Sequence, residues 1–159
     1  MSIKKFTKLI FLIVICNGLG SLGTLVTRGN LTGWYSQLSK PEFNPPNWIF
    51  APVWSLLFTL MAIALYLLLE NRKNKEFIRP ALYLFCVQFI FNIAWTFLFF
   101  GLKNPALAFI DIILLLLFIT LTLLQFEKTN RLAAYLLLPY LFWVSFASVL
   151  NFSIWMINT

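Results

Sequence analysis

Five long apolar runs dominate this sequence. Each is close to the roughly 20 residues that an α-helix needs to cross the hydrocarbon core of a bilayer. The runs cover residues 6–26, 49–69, 80–100, 105–126 and 132–157. Pro52 and Pro80 should lie in the first turns of the second and third spans, and Pro139 should bend or locally unwind the fifth. Hydrophobic residues make up 61% of the chain and charged residues 11%, whereas soluble proteins are roughly half apolar and a quarter charged. Because lipid offers no partners to backbone polar groups, we predict an all-α membrane protein, a single five-transmembrane-helix domain over residues 1–159.

The basic residues predict how this bundle is oriented. With a cytoplasmic N-terminus, nine Lys and Arg residues fall on the cytoplasmic side and three on the other, which satisfies the positive-inside rule. The nine are Lys4, Lys5, Lys8, Arg72, Lys73, Lys75, Arg79, Lys128 and Arg131; the three are Arg28, Lys40 and Lys103. Five spans then place the C-terminus outside. The net charge of +7 is scattered between apolar runs, so we expect no nucleic-acid partner.

Composition also argues against several kinds of chemical site. The chain has no His, which removes the usual general base, metal ligand and haem axial ligand. Its two cysteines, Cys16 and Cys86, lie in separate apolar runs with no CxxC or metal spacing, so we expect them to be packing residues. We therefore predict no metal site and no resident cofactor.

The segment between the first two spans is rich in proline and tryptophan. Residues 34–54 contain three of the six Trp and four of the seven Pro. Each proline removes a backbone donor and fixes φ, so this segment should be a stiff extracytoplasmic loop. It has two readings: an interfacial aromatic anchor that only joins two spans, or a lid over a pocket in the bundle. As a lid, Trp34 and Tyr35 would fold over the pocket mouth with their polar tips in water.

Polar and aromatic residues also lie at helical spacing within the spans. They are Trp54 in the second span; Gln88, Asn92 and Trp95 in the third; and Trp143, Ala147 and Asn151 in the fifth. Amides facing lipid would be costly, so these faces should point into the bundle. Their convergence beneath the loop predicts an aromatic cavity for a flat, apolar ligand, with any carboxylates of that ligand near Arg28 or Lys40.

Asp111 is the one acidic residue inside a predicted span. An ionisable residue at membrane depth is a candidate functional group. It lies about two turns from the start of its span, so it could instead pair with the loop or with a helix end. The sequence leaves both readings open.

Three motifs carry a resemblance to a known family. They read WY-x-x-L-x-KP-x-F-x-PP-x-W-x-F-x-x-VW from Trp34, N-x-x-W-x-x-x-FFGL-x-x-P from Asn92, and LL-x-PYL-x-W-x-x-FA-x-x-LN-x-x-IW ending at Trp155. Together with the order of the spans, they resemble the family of tryptophan-rich sensory proteins and mitochondrial translocator proteins (TspO, the peripheral benzodiazepine receptor). The resemblance covers nearly the whole chain.

The resemblance implies a five-helix bundle, usually dimeric, that binds porphyrins and benzodiazepine-site ligands beneath the first loop. Its members are described as transporters, sensors or regulators, and some bacterial ones as promoting light-dependent breakdown of protoporphyrin IX. The motif match assigns the ligand-binding positions to Trp34, Tyr35, Trp54, Asn92, Trp95, Trp143 and Ala147. Mitochondrial members carry a cholesterol-recognition pattern after the fifth span, but this chain ends IWMINT without Lys or Arg. That departure favours a bacterial-type protein of the cell membrane.

The expected function is therefore binding of protoporphyrin IX or a related tetrapyrrole by a membrane sensor or regulator, with lipid and a second copy of the chain as further partners. The porphyrin would be ligand or substrate rather than cofactor. No titratable pair for proton transfer is visible, so any enzymatic activity would be light- and oxygen-dependent degradation through the oxidisable indoles of Trp54 and Trp143. The alternative is a transporter of porphyrins or other hydrophobic ligands. Against it, the chain shows no inverted repeat.

Overall fold

A computed structural model describes residues 3–71 and 75–159, with only the backbone of residue 75. The described residues form helices and contain no strand. In chain order the helices are α1 (Ile3–Gly20), α2 (Thr24–Leu31), α3 (Trp34–Gln37), α4 (Asn47–Glu70), α5 (Lys75–Thr96), α6 (Pro105–Thr129), α7 (Arg131–Tyr135) and α8 (Leu138–Ile157). A 3₁₀ turn, Ser21–Gly23, joins α1 to α2, and a π-helical segment, Phe97–Gly101, extends α5.

These helices supply five segments that are long and apolar enough to cross a membrane, as predicted. They are Ile3–Leu31, Asn47–Glu70, Glu76–Gly101, Pro105–Thr129 and Arg131–Ile157. Large apolar side chains remain exposed along them, as expected where lipid is the solvent; Leu25 is 77% exposed, for example. The chain is therefore a multi-pass membrane protein. Its orientation stays a prediction, and the predicted cytoplasmic charges Arg72, Lys73 and the Lys75 side chain lie outside the described residues.

Prolines shape three of the spans. Pro139 lies in the first turn of α8, and a break at residues 136–137 separates that helix from α7, so the interruption predicted for the fifth span is present. Pro52 and Pro80 were expected in the first turn of their helices, and that expectation is wrong. Each is the sixth residue of its helix, where a missing N–H does remove an intrahelical bond.

Glycines let the first span approach its neighbours. A Cβ on Gly20 would lie 2.2 Å from the Phe58 ring of α4, and one on Gly23 would lie 2.7 Å from Thr96 of α5. At the other end, the ammonium groups of Lys5 and Lys8 lie 3.2 and 2.9 Å from the Glu70 carboxylate. Within the first span, α1 therefore packs along α4 from Lys5 to Gly20.

The interior contains two clusters of buried side chains. The larger fills the bundle between α4, α5, α6 and α8 and includes Phe58, Phe89 and Leu115. The smaller lies at the end where the 3–31 segment finishes, and includes Tyr35, Phe99 and Leu150. Trp95 packs against both clusters, so it links the interior of the bundle to its end.

Gly20→Ala should destabilise the bundle by about 1–3 kcal/mol. The added methyl would meet the Phe58 ring, which has little room to move because it stacks on Trp54 at 5.3 Å between ring centroids. Gly18→Ala is the matched control, since nothing lies within 4 Å of its Cβ position. That change should be neutral or slightly stabilising, because Ala favours helix over Gly. Unfolding in detergent by circular dichroism would compare the two variants; equal midpoints would contradict close packing at Gly20.

Candidate ligand-binding site

A small cavity lies inside the bundle among α4, α5, α6 and α8. Its volume is about 10 Å³. Its lining residues are Trp54, Asn92, Trp95, Ile112, Leu115, Val144 and Ala147. A space of this size holds about one water molecule, whereas small-molecule pockets are typically about 300–1,000 Å³. The structure thus brings together four of the seven predicted positions around a closed cavity.

Asn151 fixes one wall of this cavity. Trp95 Nε1 donates a hydrogen bond to Asn151 Oδ1 at 2.9 Å, and Asn151 Nδ2 donates to the carbonyl oxygen of Pro105 at 2.8 Å. One amide from α8 therefore holds the Trp95 indole of α5 and the first residue of α6. Asn151 is 1% exposed, so neither bond is shared with solvent.

A second polar chain crosses the bundle next to the cavity. Asn92 Nδ2 donates to the Tyr140 hydroxyl at 3.1 Å, and that hydroxyl donates to Gln88 Oε1 at 2.9 Å. All three side chains are buried, as predicted for the two amides. Tyr140 was not selected from the sequence, although it is the tyrosine of the PYL motif. The available signal was the pair of amides, Gln88 and Asn92, that lie one turn apart on α5.

The two indoles proposed for chemistry have different surroundings. Trp54 stacks on Phe58 and lies edge-on to Tyr140 at 6.3 Å. Trp143 does not line the cavity; it packs between Phe50 at 5.9 Å and Phe146 at 5.7 Å. Its buried Nε1 has no hydrogen-bond partner among the described residues. A buried donor without a partner is costly.

The segment between the first span and α4, residues 32–46, is called the connector below. It carries the two remaining predicted positions, Trp34 and Tyr35. Neither lines the cavity, because other aromatic rings lie between them and it. Trp34 and Tyr35 lie 5.7 and 6.1 Å from Phe99, and Phe99 stacks on Trp95 at 5.1 Å. These two residues therefore lie one aromatic layer away from the cavity wall.

Tyr35 was expected to extend its hydroxyl into water, and that expectation is wrong. The residue is 4% exposed, and its hydroxyl donates to Asn44 Oδ1 at 2.9 Å within the connector. Burial raises the pKa of Tyr35 above its ordinary value.

The predicted anion-binding cations lie near the connector. Lys40 Nζ lies 4.7 Å from the centre of the Tyr35 ring and donates to the carbonyl oxygen of Leu38 at 3.2 Å. Its charge is thereby held beside the aromatic layer at this end of the bundle. Arg28 is exposed in the last turn of α2.

Asp111 is 6% exposed on α6, on the same helical face as Ile112 and Leu115 of the cavity. Its Oδ2 atom has no hydrogen-bond partner within residues 3–71 and 75–159. The two readings of Asp111, ligand contact and pairing with the loop or a helix end, both stay predictions. Across the same residues, no three His, Cys, Asp or Glu side chains are grouped as metal ligands would be.

Comparison with known proteins identifies the family. The profile of the TspO/MBR family matches residues 12–156. This chain belongs to the TspO/MBR family. It is 40% identical to the tryptophan-rich protein TspO of Chlorobaculum tepidum over 155 residues, 98% of both chains. It is also 38% identical to the translocator protein of Ovis aries over 141 residues, 87% of this chain and 83% of that one.

Other family members carry names that bear on function. The tryptophan-rich sensory protein of Cereibacter sphaeroides is 34% identical over 143 residues, 88% of each chain. The predicted membership of this family is confirmed, and with it a membrane protein of the sensory and translocator group. Bacterial relatives span almost the whole chain.

Asn151→Ala should destabilise the protein by about 1–3 kcal/mol, because it leaves the Trp95 indole N–H and the Pro105 carbonyl without their partner. Ser148→Ala is the matched control: it removes a buried hydroxyl, one turn away, that donates only to Ser145 of its own helix. Thermal unfolding in detergent and the indole emission maximum would report the change. Equal behaviour of the two variants would show that Asn151 does not hold the wall.

Proposed function

We propose that this protein binds a tetrapyrrole such as protoporphyrin IX inside the bundle, beneath the connector, and acts as a membrane sensor or regulator of tetrapyrroles. The observation that carries the proposal is the convergence of Trp54, Asn92, Trp95 and Ala147, from three different helices, on one cavity. Large apolar walls with few polar groups suit a flat aromatic ligand. The sensory name of the Cereibacter sphaeroides relative supports the same role.

Binding requires the cavity to widen, because a porphyrin is far larger than 10 Å³ of free space. The side chains of Trp54, Trp95 and Ala147 are only half-buried, whereas the neighbouring Met61 and Val144 are fully enclosed. The cavity therefore borders the less tightly packed part of the interior. We propose that rotation of these indoles and displacement of the connector create the space for the ligand.

Three polar groups outside the cavity lining match a porphyrin, and the first two would reach it once the cavity widens. The unpartnered Nε1 of Trp143 offers a donor, and the unpartnered Oδ2 of Asp111 offers an acceptor for pyrrole N–H groups. Lys40 places a positive charge at the connector, where the ligand's carboxylates would lie next to water. On this proposal the macrocycle is buried, and the edge that carries its carboxylates faces the membrane–water interface.

Two further roles follow from the same site. Light absorbed by bound porphyrin could lead, with oxygen, to its degradation, and Trp54 and Trp143 are the indoles placed to take part. Translocator names among the relatives favour transport as the alternative.

We also propose a homodimer in the bacterial cell membrane, with a cytoplasmic N-terminus and an external C-terminus.

Ala147→Leu should weaken protoporphyrin IX binding by at least about tenfold, because the larger side chain fills the cavity and narrows the space beside Trp95. Quenching of indole fluorescence during titration in nanodiscs would measure the affinity. Val149→Leu is the control, since Val149 is 56% exposed on the lipid-facing side of the same helix. Equal affinity of the Ala147→Leu variant and the wild type would move the site elsewhere.

Trp54→Phe and Trp143→Phe should each slow light-dependent loss of bound porphyrin by about tenfold or more while binding largely survives, because Phe keeps the aromatic wall but resists oxidation. Trp155→Phe is the control, because Trp155 packs on Phe109 and Phe152 away from the cavity. Porphyrin absorbance would be followed in light, in darkness and without oxygen. If both variants lose porphyrin as fast as the wild type, the two indoles take no part in the degradation. Uptake of porphyrin in darkness into sealed vesicles that contain the protein would favour transport.

A further inference from the structure

The connector is attached to the end of α8 by one side chain. Ser39 N–H donates to Asn158 Oδ1 at 3.0 Å, and Asn158 Nδ2 donates to the Ser39 carbonyl oxygen at 2.9 Å. Both polar groups of the amide thus pair with the backbone of one residue, as neighbouring strands pair in a sheet. The two residues are 119 positions apart in the chain, so this contact is tertiary rather than local.

Asn158 is itself held by the last turn of α8. Its backbone N–H points to the carbonyl oxygens of Ile154 and Trp155 at 3.3 and 3.2 Å, and its Nδ2 also donates to Ile154 at 2.7 Å. These bonds pair carbonyl groups that a helix end otherwise leaves free. The amide is therefore oriented by the helix before it contacts the connector.

A second contact fixes the course of the connector. Phe43 lies edge-on to Phe146 with 6.3 Å between ring centroids, and Phe146 adjoins Trp143. Phe146 and Asn158 are twelve residues apart on α8, which is about 18 Å along a helix. The connector therefore runs along the C-terminal half of α8, on the side where Trp143 lies.

Internal bonds make the connector move as a unit. The Tyr35 hydroxyl bonds Asn44, and the Asn44 backbone N–H donates to the carbonyl oxygen of Pro41 at 3.0 Å. A chain so braced, with prolines that limit its freedom, cannot open by fraying one residue at a time. Its displacement requires release of its contacts with α8, at Ser39 and Phe43.

We infer that Asn158 is the latch of the connector: its paired hydrogen bonds to Ser39 hold this segment closed, and their release opens the path into the bundle. This role rests on the proposed function, in which the ligand lies beneath the connector. Asn158 and Ser39 are both exposed, so water can replace their mutual bonds at small net cost. A contact of that strength suits a closure that must open and close repeatedly.

Hydrogen exchange of the unliganded protein in nanodiscs tests the contact without any ligand. Asn158→Ala should raise the exchange rate of the Ser39 amide about fivefold, because its acceptor is lost. Asn158→Asp should give a smaller rise, since it keeps an acceptor for Ser39 N–H and loses only the donor. Thr159→Ala is the matched control, because its hydroxyl donates only to Trp155 of its own helix. Unchanged Ser39 exchange in both Asn158 variants would overturn the latch.

Stopped-flow release of protoporphyrin IX then tests the consequence. In Asn158→Ala, association and dissociation rates should both rise about fivefold, because the barrier to opening falls while the affinity is unchanged. The midpoint of thermal unfolding should also be unchanged. Faster Ser39 exchange with wild-type release rates would also overturn the latch, since the contact would then not control access. If the wild type binds no porphyrin, the proposed function fails, and the exchange result alone decides whether Asn158 holds the connector.

Discussion

The bundle depends on pairing between polar side chains that lipid cannot satisfy. In water, a broken hydrogen bond is replaced at little cost, but a polar group inside a bilayer must find its partner within the protein. Asn151 and Tyr140 each provide such pairing between helices: the first joins α8 to α5 and α6, and the second joins α8 to two residues of α5. These bonds set the register of the helices, and the aromatic rings pack around them.

This arrangement places the proposed site beside the polar pairs. Asn92 and Trp95 each use one polar group in a bond between helices and also line the cavity. Among the described residues, three buried side-chain atoms lack a hydrogen-bond partner: Trp143 Nε1, Asp111 Oδ2 and Thr129 Oγ1. A structure that pairs most of its buried polar side chains and leaves a donor on α8 and an acceptor on α6, two of the helices around the cavity, fits a bundle that accepts a polar-edged aromatic ligand.

The sequence predicted most of the fold because membrane helices are specified by composition. Five apolar runs of spanning length can form little else, and the amides of Gln88 and Asn92 had to face inward. The convergence of Trp54, Asn92, Trp95 and Ala147 followed from helical spacing and from the side of the bundle on which each span ends. Only the helical repeat and the direction of each span are needed for these predictions, and both can be read from one sequence.

What the sequence could not predict depends on contacts between distant residues. Nothing local indicates that Asn158 pairs with Ser39, that the Tyr35 hydroxyl turns to Asn44, or that Trp143 lies outside the cavity lining. Pro52 and Pro80 were misplaced because tertiary packing can extend a helix past a residue that propensity alone would put at its start. The closed state of the cavity is likewise a property of packing and not of pattern.

The measurement that tests the account most directly is a structure of the protein with protoporphyrin IX bound. We predict that the macrocycle lies between α4, α5 and α8, in contact with Trp54, Trp95 and Ala147, with the cavity widened and the connector above it. A porphyrin bound on the lipid-facing surface, with the 10 Å³ cavity unchanged, would contradict it.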